Sequence, residues 1–102
     1  QQEFEIVRRK QPEINASLGK QVVAFVHSLR EMDLYKMPGV AETLDWSNAL
    51  VKLGTTSLSV ESAEDTLGTL LKYQDDIEKV RGETVNGLVQ RAITDADLIA
   101  AT

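Results

Sequence analysis

The chain is expected to fold as an all-α domain, a small bundle of four to six helices. Three observations predict this. Apolar residues recur at helical spacing through most of the 102 residues, as in Leu18, Val22, Phe25, Leu29 and Met32. Turn-forming residues fall between the periodic stretches, at Pro38-Gly39, Gly54 and Gly82. A hydrophobic content of 42% with 26% charged residues suits one modest core and leaves no room for two.

The elements follow in order. Phe4, Ile6 and Val7 predict a short entry helix through Lys10. Pro12 and Asn15 then offer a start and a cap for the helix carrying Leu18 to Met32. The run Val22–Val26 alone suggests a strand, but the rhythm on both sides of it favours the helix. After Pro38-Gly39 a helix is expected over about Ala41–Leu53, with Leu44, Ala49, Leu50 and Leu53 inward and Trp46 beside them. Gly54 is its natural stop, and Ser59 caps the next helix. Acidic Glu61, Glu64 and Asp65 suit that N-terminal turn. Leu67, Leu70, Leu71, Ile77 and Val80 read as one face of a long helix ending near Arg81-Gly82. Beyond it, Val85, Leu88, Val89 and Ile93 suggest another helix, and Thr94 a cap for a last short one. Gly19 and Gly68, inside helices, point to close approach of neighbouring elements.

Charge is uneven. The net charge of −5 divides into +2 over residues 1–30 and −7 over residues 31–102. An acidic bulk repels phosphate backbones, so nucleic acid is not an expected partner. No apolar run approaches the ~20 residues of a membrane span. There is no cysteine, which excludes disulfides, thiolate zinc sites and a cysteine nucleophile, and suits a reducing, cytoplasmic setting. The chain begins Gln1-Gln2-Glu3 without a methionine and is read as a fragment of something longer.

Few residues offer chemistry. Gly19-Lys20 is followed by Gln21 and lacks an upstream glycine, so it is no P-loop. His27 is the single histidine; its expected contact is Glu31, one helical turn on, as a solvated pair. No Glu-x-x-His motif exists for a di-iron site, and neither a catalytic residue nor a metal ligand is assigned. Asp75-Asp76 with Glu78 is acidic enough for a cation, but helical pairs such as Asp75–Lys79 explain it more simply. Arg8-Arg9-Lys10 could meet a phosphate or an acidic surface, or be a solvated helix C-terminus, where cations are favoured. The most informative stretch is Pro38-Gly39-Val40-Ala41-Glu42-Thr43, where a loop runs into a helix and free N–H groups suit an anion. Glu42 or Thr43 acting as a cap is the competing explanation.

The run Leu29-Arg30-Glu31-Met32-Asp33-Leu34-Tyr35-Lys36-Met37-Pro38-Gly39-Val40-Ala41-Glu42-Thr43-Leu44-Asp45-Trp46 resembles the C-terminal lid of MoxR-type AAA+ ATPases. It looks nearest to the branch associated with carbon monoxide dehydrogenase maturation. The run Asp65–Asp76 and the entry segment Glu3–Pro12 are similar to that branch too. The resemblance implies an AAA+ lid-like helical domain over residues 1–81; residues 82–102 fall outside it and are read as a C-terminal helical extension or mobile tail. It implies a missing α/β core that binds ATP and Mg, neighbouring subunits in a ring, and a chaperone-like role in maturing protein complexes. A partner with a von Willebrand factor A domain is also implied. Pro38, Gly39, Val40, Glu42 and Thr43 would then lie near nucleotide, and Leu34, Tyr35, Met37 and Trp46 at an interface. The family's sensor arginine is absent from the helix start; Arg30 is the nearest candidate along the chain. The alternative from another class is a free-standing acidic helical module that binds proteins.

Overall fold

A computed structural model describes residues 2–99, and its regular elements are all helical. They are α1 (Gln2–Lys10), α2 (Ala16–Leu29), α3 (Val40–Lys52), α4 (Val60–Leu70), α5 (Gln74–Val80) and α6 (Glu83–Asp95), closed by a 3-10 turn at Ala96–Leu98. Residue 1 and residues 100–102, the ends of the two expected regions, lie outside the described residues.

Helix α2 is the centre of the bundle. Leu18, Val22, Val23, Phe25, Val26 and Leu29 are all fully buried, and α1, α3, α6 and the 3-10 turn pack around them. The Val22–Val26 run is therefore helical because it is wrapped on nearly every side, which removes the polar face an amphipathic helix would show. Asn15 caps α2, its Oδ1 accepting from the Leu18 N–H at 2.7 Å. Its amide also donates to the Thr56 carbonyl, tying the start of α2 to the loop after α3. Gln21, buried on α2, holds the same loop by accepting from the Leu58 N–H at 2.7 Å.

Helix α3 ends in a Schellman arrangement: Gly54, at φ +74°, donates to Val51, and Thr55 donates to Leu50. Ser59 caps α4 through the Ser62 N–H. Helix α6 buries Val85, Val89 and Ala92 and lies along α2 and α4.

Five expectations change. Leu53, expected inward on α3, is its C-cap and is 65% exposed. Helix α2 stops at Leu29, so Met32 lies in the following turn, half-buried against the core. The long helix expected between Ser59 and Arg81 is two helices. At Leu71 the backbone is extended (φ −116°, ψ 134°), which drives Leu71 into the core and redirects the chain before α5. Thr94 lies inside α6, and Asp95 precedes the 3-10 turn. Gly19 does permit close approach, with the Phe4 ring 3.1 Å from where a Cβ would stand, but Gly68 has nothing within 4 Å.

Candidate functional site

The residues singled out from sequence gather on the connection between α2 and α3, residues 30–39, and the start of α3. Three charged side chains fix that connection. Arg30 donates from Nε to the Pro38 carbonyl at 2.8 Å, closing the loop across its own base. Asp76, in the first turn of α5, is 2% exposed and accepts from the backbone N–H groups of Tyr35 (2.9 Å) and Lys36 (3.2 Å). Lys79 adds a bond from its ammonium to the Asp33 carbonyl. Asp76 alone of the acidic run thus clamps the loop. Asp76 has its own partners, and no Asp75–Lys79 ion pair forms. Among the described residues no group of three potential ligands could hold a metal ion.

Arg30 also meets Glu3 through two parallel bonds, Nη1 to Oε1 at 2.7 Å and Nη2 to Oε2 at 2.8 Å. The Thr43 hydroxyl donates to the same carboxylate at 2.8 Å, and His27 Nε2 stands 3.3 Å from Oε1. Burial works to raise the Glu3 carboxyl, but the Arg30 and Thr43 hydrogen bonds, with the Arg30 and His27 charges, hold it below the usual glutamate range. His27 therefore faces Glu3 and not Glu31, whose carboxylate lies 3.7 Å from Arg91 of α6. The expected His27–Glu31 pair does not form: α2 ends at Leu29, before Glu31, and the entry helix brings the carboxylate of Glu3 to His27 instead.

At the start of α3, Glu42 folds back so that its Oε1 accepts from the Gly39 N–H at 2.8 Å. That hydrogen bond keeps its carboxyl below the usual range, helped by the nearby Lys36 and Lys72 charges. Glu42 thus caps its own helix and puts negative charge where a phosphate would need positive. Thr43 is fully buried, and Pro38 is buried with its carbonyl engaged. Of the five residues expected near nucleotide, Val40 is the one with a well-exposed side chain. Arg30, the candidate replacement for a sensor arginine, is occupied by Glu3 and Pro38.

The expected interface residues divide. Tyr35 and Met37 are exposed, at 77% and 52%, and Leu34 is half-buried against the core. Trp46 is fully buried, its ring centroid 5.0 Å from that of Phe25 and its Nε1 donating to the Thr66 hydroxyl at 2.6 Å. It is a core residue, as its place beside Leu50 on the inward face of α3 requires, and not a surface one.

Three residues escape the sequence reading, the first being Glu3, whose buried carboxylate gathers Arg30, Thr43 and His27. Asp76 is a buried structural carboxylate, hidden in a run of surface-like charges. Tyr73, 53% exposed, pairs with Tyr35 at 6.0 Å between ring centroids. Tyr73 carries one detectable signal: the acidic Gln74-Asp75-Asp76 after it has the composition of a new helix start, which places Tyr73 in a bend. No family model, curated protein or solved structure matches this chain.

Proposed function

We propose that the chain is the lid subdomain of a MoxR-type AAA+ ATPase, laid over ATP held by an α/β core and carrying nucleotide-driven motion into a chaperone-like maturation machine. The resemblance of Leu29–Trp46 and Asp65–Asp76 motivates this reading. The observation that carries it is that these two segments meet. Asp76 of the second clamps the Tyr35 and Lys36 amides of the first, and the clamped loop turns Tyr35 and Met37 outward. Apolar side chains displayed on a braced loop suit a body that rests against another.

The residues of this chain do not fit direct contact with ATP phosphates or their magnesium. Glu42 fills the start of α3 and Arg30 is neutralised by Glu3. In this reading both cofactors belong to the core. The partners are that core, the neighbouring subunits of a ring and a protein with a von Willebrand factor A domain, in the cytoplasm. No helix among the described residues is long and apolar enough to cross a membrane.

The test is the reading frame upstream of Gln1 together with calorimetry on the 102-residue chain. A P-loop and an acidic Walker-type strand about one domain length upstream, with no ATP hydrolysis by this chain alone and at best millimolar nucleotide affinity, support the lid. A start codon immediately before Gln1, or micromolar ATP binding by the chain alone, overturns it. The free-standing acidic interaction module is then the reading that the exposed Tyr35–Tyr73 pair favours.

A further inference from the structure

Tyr35 and Tyr73 belong to separate elements, the loop after α2 and the bend between α4 and α5, yet their rings stand 6.0 Å apart at an interplanar angle of 56°. Single exposed aromatic residues are ordinary. A pair held together across 38 positions of sequence, with both rings open to solvent, is a shaped surface.

The rings border a groove. One part of it, about 410 Å³, is lined by Tyr35, Tyr73, Gln74 and Asp75. An adjoining part, about 330 Å³, has Asp33, Asp75 and Lys79 among its lining residues. Tyr35 and Asp75 line both parts.

Its charge balance favours a cation. Three carboxylates, Asp33, Asp75 and Asp76, line it against the one ammonium of Lys79, and no ion pair or hydrogen bond of the described residues takes up the carboxylates of Asp33 and Asp75. Lys36 and Lys72 act on Glu42 at the start of α3, and neither lines the groove. Tyrosine ring faces carry negative potential, so the aromatic and acidic walls attract the same kind of ligand. The backbone bonds from Tyr35 and Lys36 to Asp76 fix the loop beforehand, which lowers the ordering cost of binding.

We propose that this groove docks an arginine side chain of a partner polypeptide, its guanidinium lying against the Tyr35 and Tyr73 rings and forking onto the Asp75 carboxylate. Arginine suits the site better than lysine, because a planar guanidinium can stack on a ring and still present two parallel N–H donors. An open groove of this size, at the low end of ligand-pocket volumes, takes one side chain of a larger partner and does not enclose a free small molecule. The partner segment is basic, complementary to the −7 carried by residues 31–102. The proposal stands on this surface alone and does not rest on the ATPase reading.

The test is an NMR titration of the 102-residue chain with a short arginine peptide and its lysine and citrulline counterparts, following the tyrosine ring protons and the amides of Tyr35, Tyr73 and Asp75. The arginine peptide should give saturable shifts confined to the groove, and lysine should bind about threefold more weakly. Citrulline, with nearly the same shape and no charge, should give none. Asp75→Asn should weaken the arginine peptide about tenfold, and Tyr73→Ala should weaken it by a similar factor. Asp75 is exposed and makes no hydrogen bond to the rest of the bundle, so Asp75→Asn keeps the test decisive if Tyr73→Ala perturbs the fold. Equal shifts with arginine and citrulline, or unchanged affinity in Asp75→Asn, overturn the proposal.

Discussion

Arg30 and Glu3, 27 positions apart, form a two-bond ion pair in which the carboxylate is the more deeply placed partner: its side chain is 10% exposed against 27% for the guanidinium. The pair joins the first turn of α1 to the end of α2, and Thr43 brings α3 to the same carboxylate. Three helices therefore converge on one buried charge. Glutamate is rarely buried to this degree unless it is paired.

The two halves of this pair should not be equivalent on mutation. Arg30→Met removes the main counter-charge and leaves Glu3 buried beside only Thr43 and the half-exposed His27. A stranded buried charge of this kind costs about 3 kcal/mol. Glu3→Gln keeps the shape and the Thr43 contact, and it leaves Arg30 partly open to solvent, so about 1 kcal/mol is expected. Urea denaturation of both variants checks the order. Equal losses would show that the carboxylate is not effectively desolvated.

Acid should weaken the fold through the same group. The Glu3 and Glu42 carboxyls are both held below the ordinary range. A depressed folded value contributes stability that is fully present above the unfolded pKa of about 4.3. That contribution is lost as pH falls through the folded values. The denaturation midpoint should therefore fall below about pH 4, and the fall should be shallower in Glu3→Gln. Parallel curves for the two proteins between pH 5 and pH 2 would contradict the assignment to Glu3.

Two helical glycines offer gains and one a loss. Gly68 and Gly87 have nothing within 4 Å of where a Cβ would stand, so alanine at either should add up to about 1 kcal/mol by helix propensity and reduced unfolded-state freedom. At Gly19 a Cβ would stand 3.1 Å from the Phe4 ring. Phe4 is pinned between α1 and α2 with Arg8 over its face, so Gly19→Ala should force α1 outward and lower the melting temperature. Calorimetry on the three variants separates them by sign. A stabilising Gly19→Ala would mean that Phe4 shifts freely.

How far the sequence could be read depended on whether a feature was local. Asn15, Ser59 and Gly54 act within a few residues of themselves, and each does in the structure what its type and position predict. The central helix was legible because the rhythm of Leu18 to Leu29 outlasts the β-branched run inside it. The break at Leu71 was not, because Leu70, Ile77 and Val80 remain at helical spacing across it and the extended bend costs no apolar contact. The candidate site was only partly legible for a related reason. Glu3–Arg30, Asp76–Tyr35 and Tyr73–Tyr35 each join residues 27 to 41 positions apart, and periodicity carries no information about such pairs. Glu42 shows the opposite case, since a carboxylate three residues after Gly39 could be read as a cap from the sequence alone.

Trp46 should behave as a core residue. Its ring is fully buried against Phe25 and its indole N–H is satisfied by Thr66. Trp46→Ala should cost about 3–5 kcal/mol through lost burial and the cavity left behind. Trp46→Phe should cost less, because Thr66 still bonds the Ser62 carbonyl and most of the apolar contact survives. Thermal melts of both variants provide the check. A wild-type melting temperature for Trp46→Ala would place the ring at an interface.

Asp76→Ala should loosen the loop without unfolding the bundle. The Tyr35 and Lys36 amides would lose their acceptors at 2.9 and 3.2 Å and turn to water, which is available because the loop is exposed around them. Amide protection at these two positions should therefore fall steeply in hydrogen exchange, while amides of α2 that report on global opening change much less. Asp76→Asn retains one carbonyl oxygen and should keep protection at one of the two amides. The Tyr35–Tyr73 ring contact should be lost with the alanine variant, because Tyr35 is held beside Tyr73 through its own backbone. If protection at Tyr35 survives in Asp76→Ala, the Arg30–Pro38 bond across the base of the loop is sufficient to hold it, and the α5 carboxylate is not its clamp.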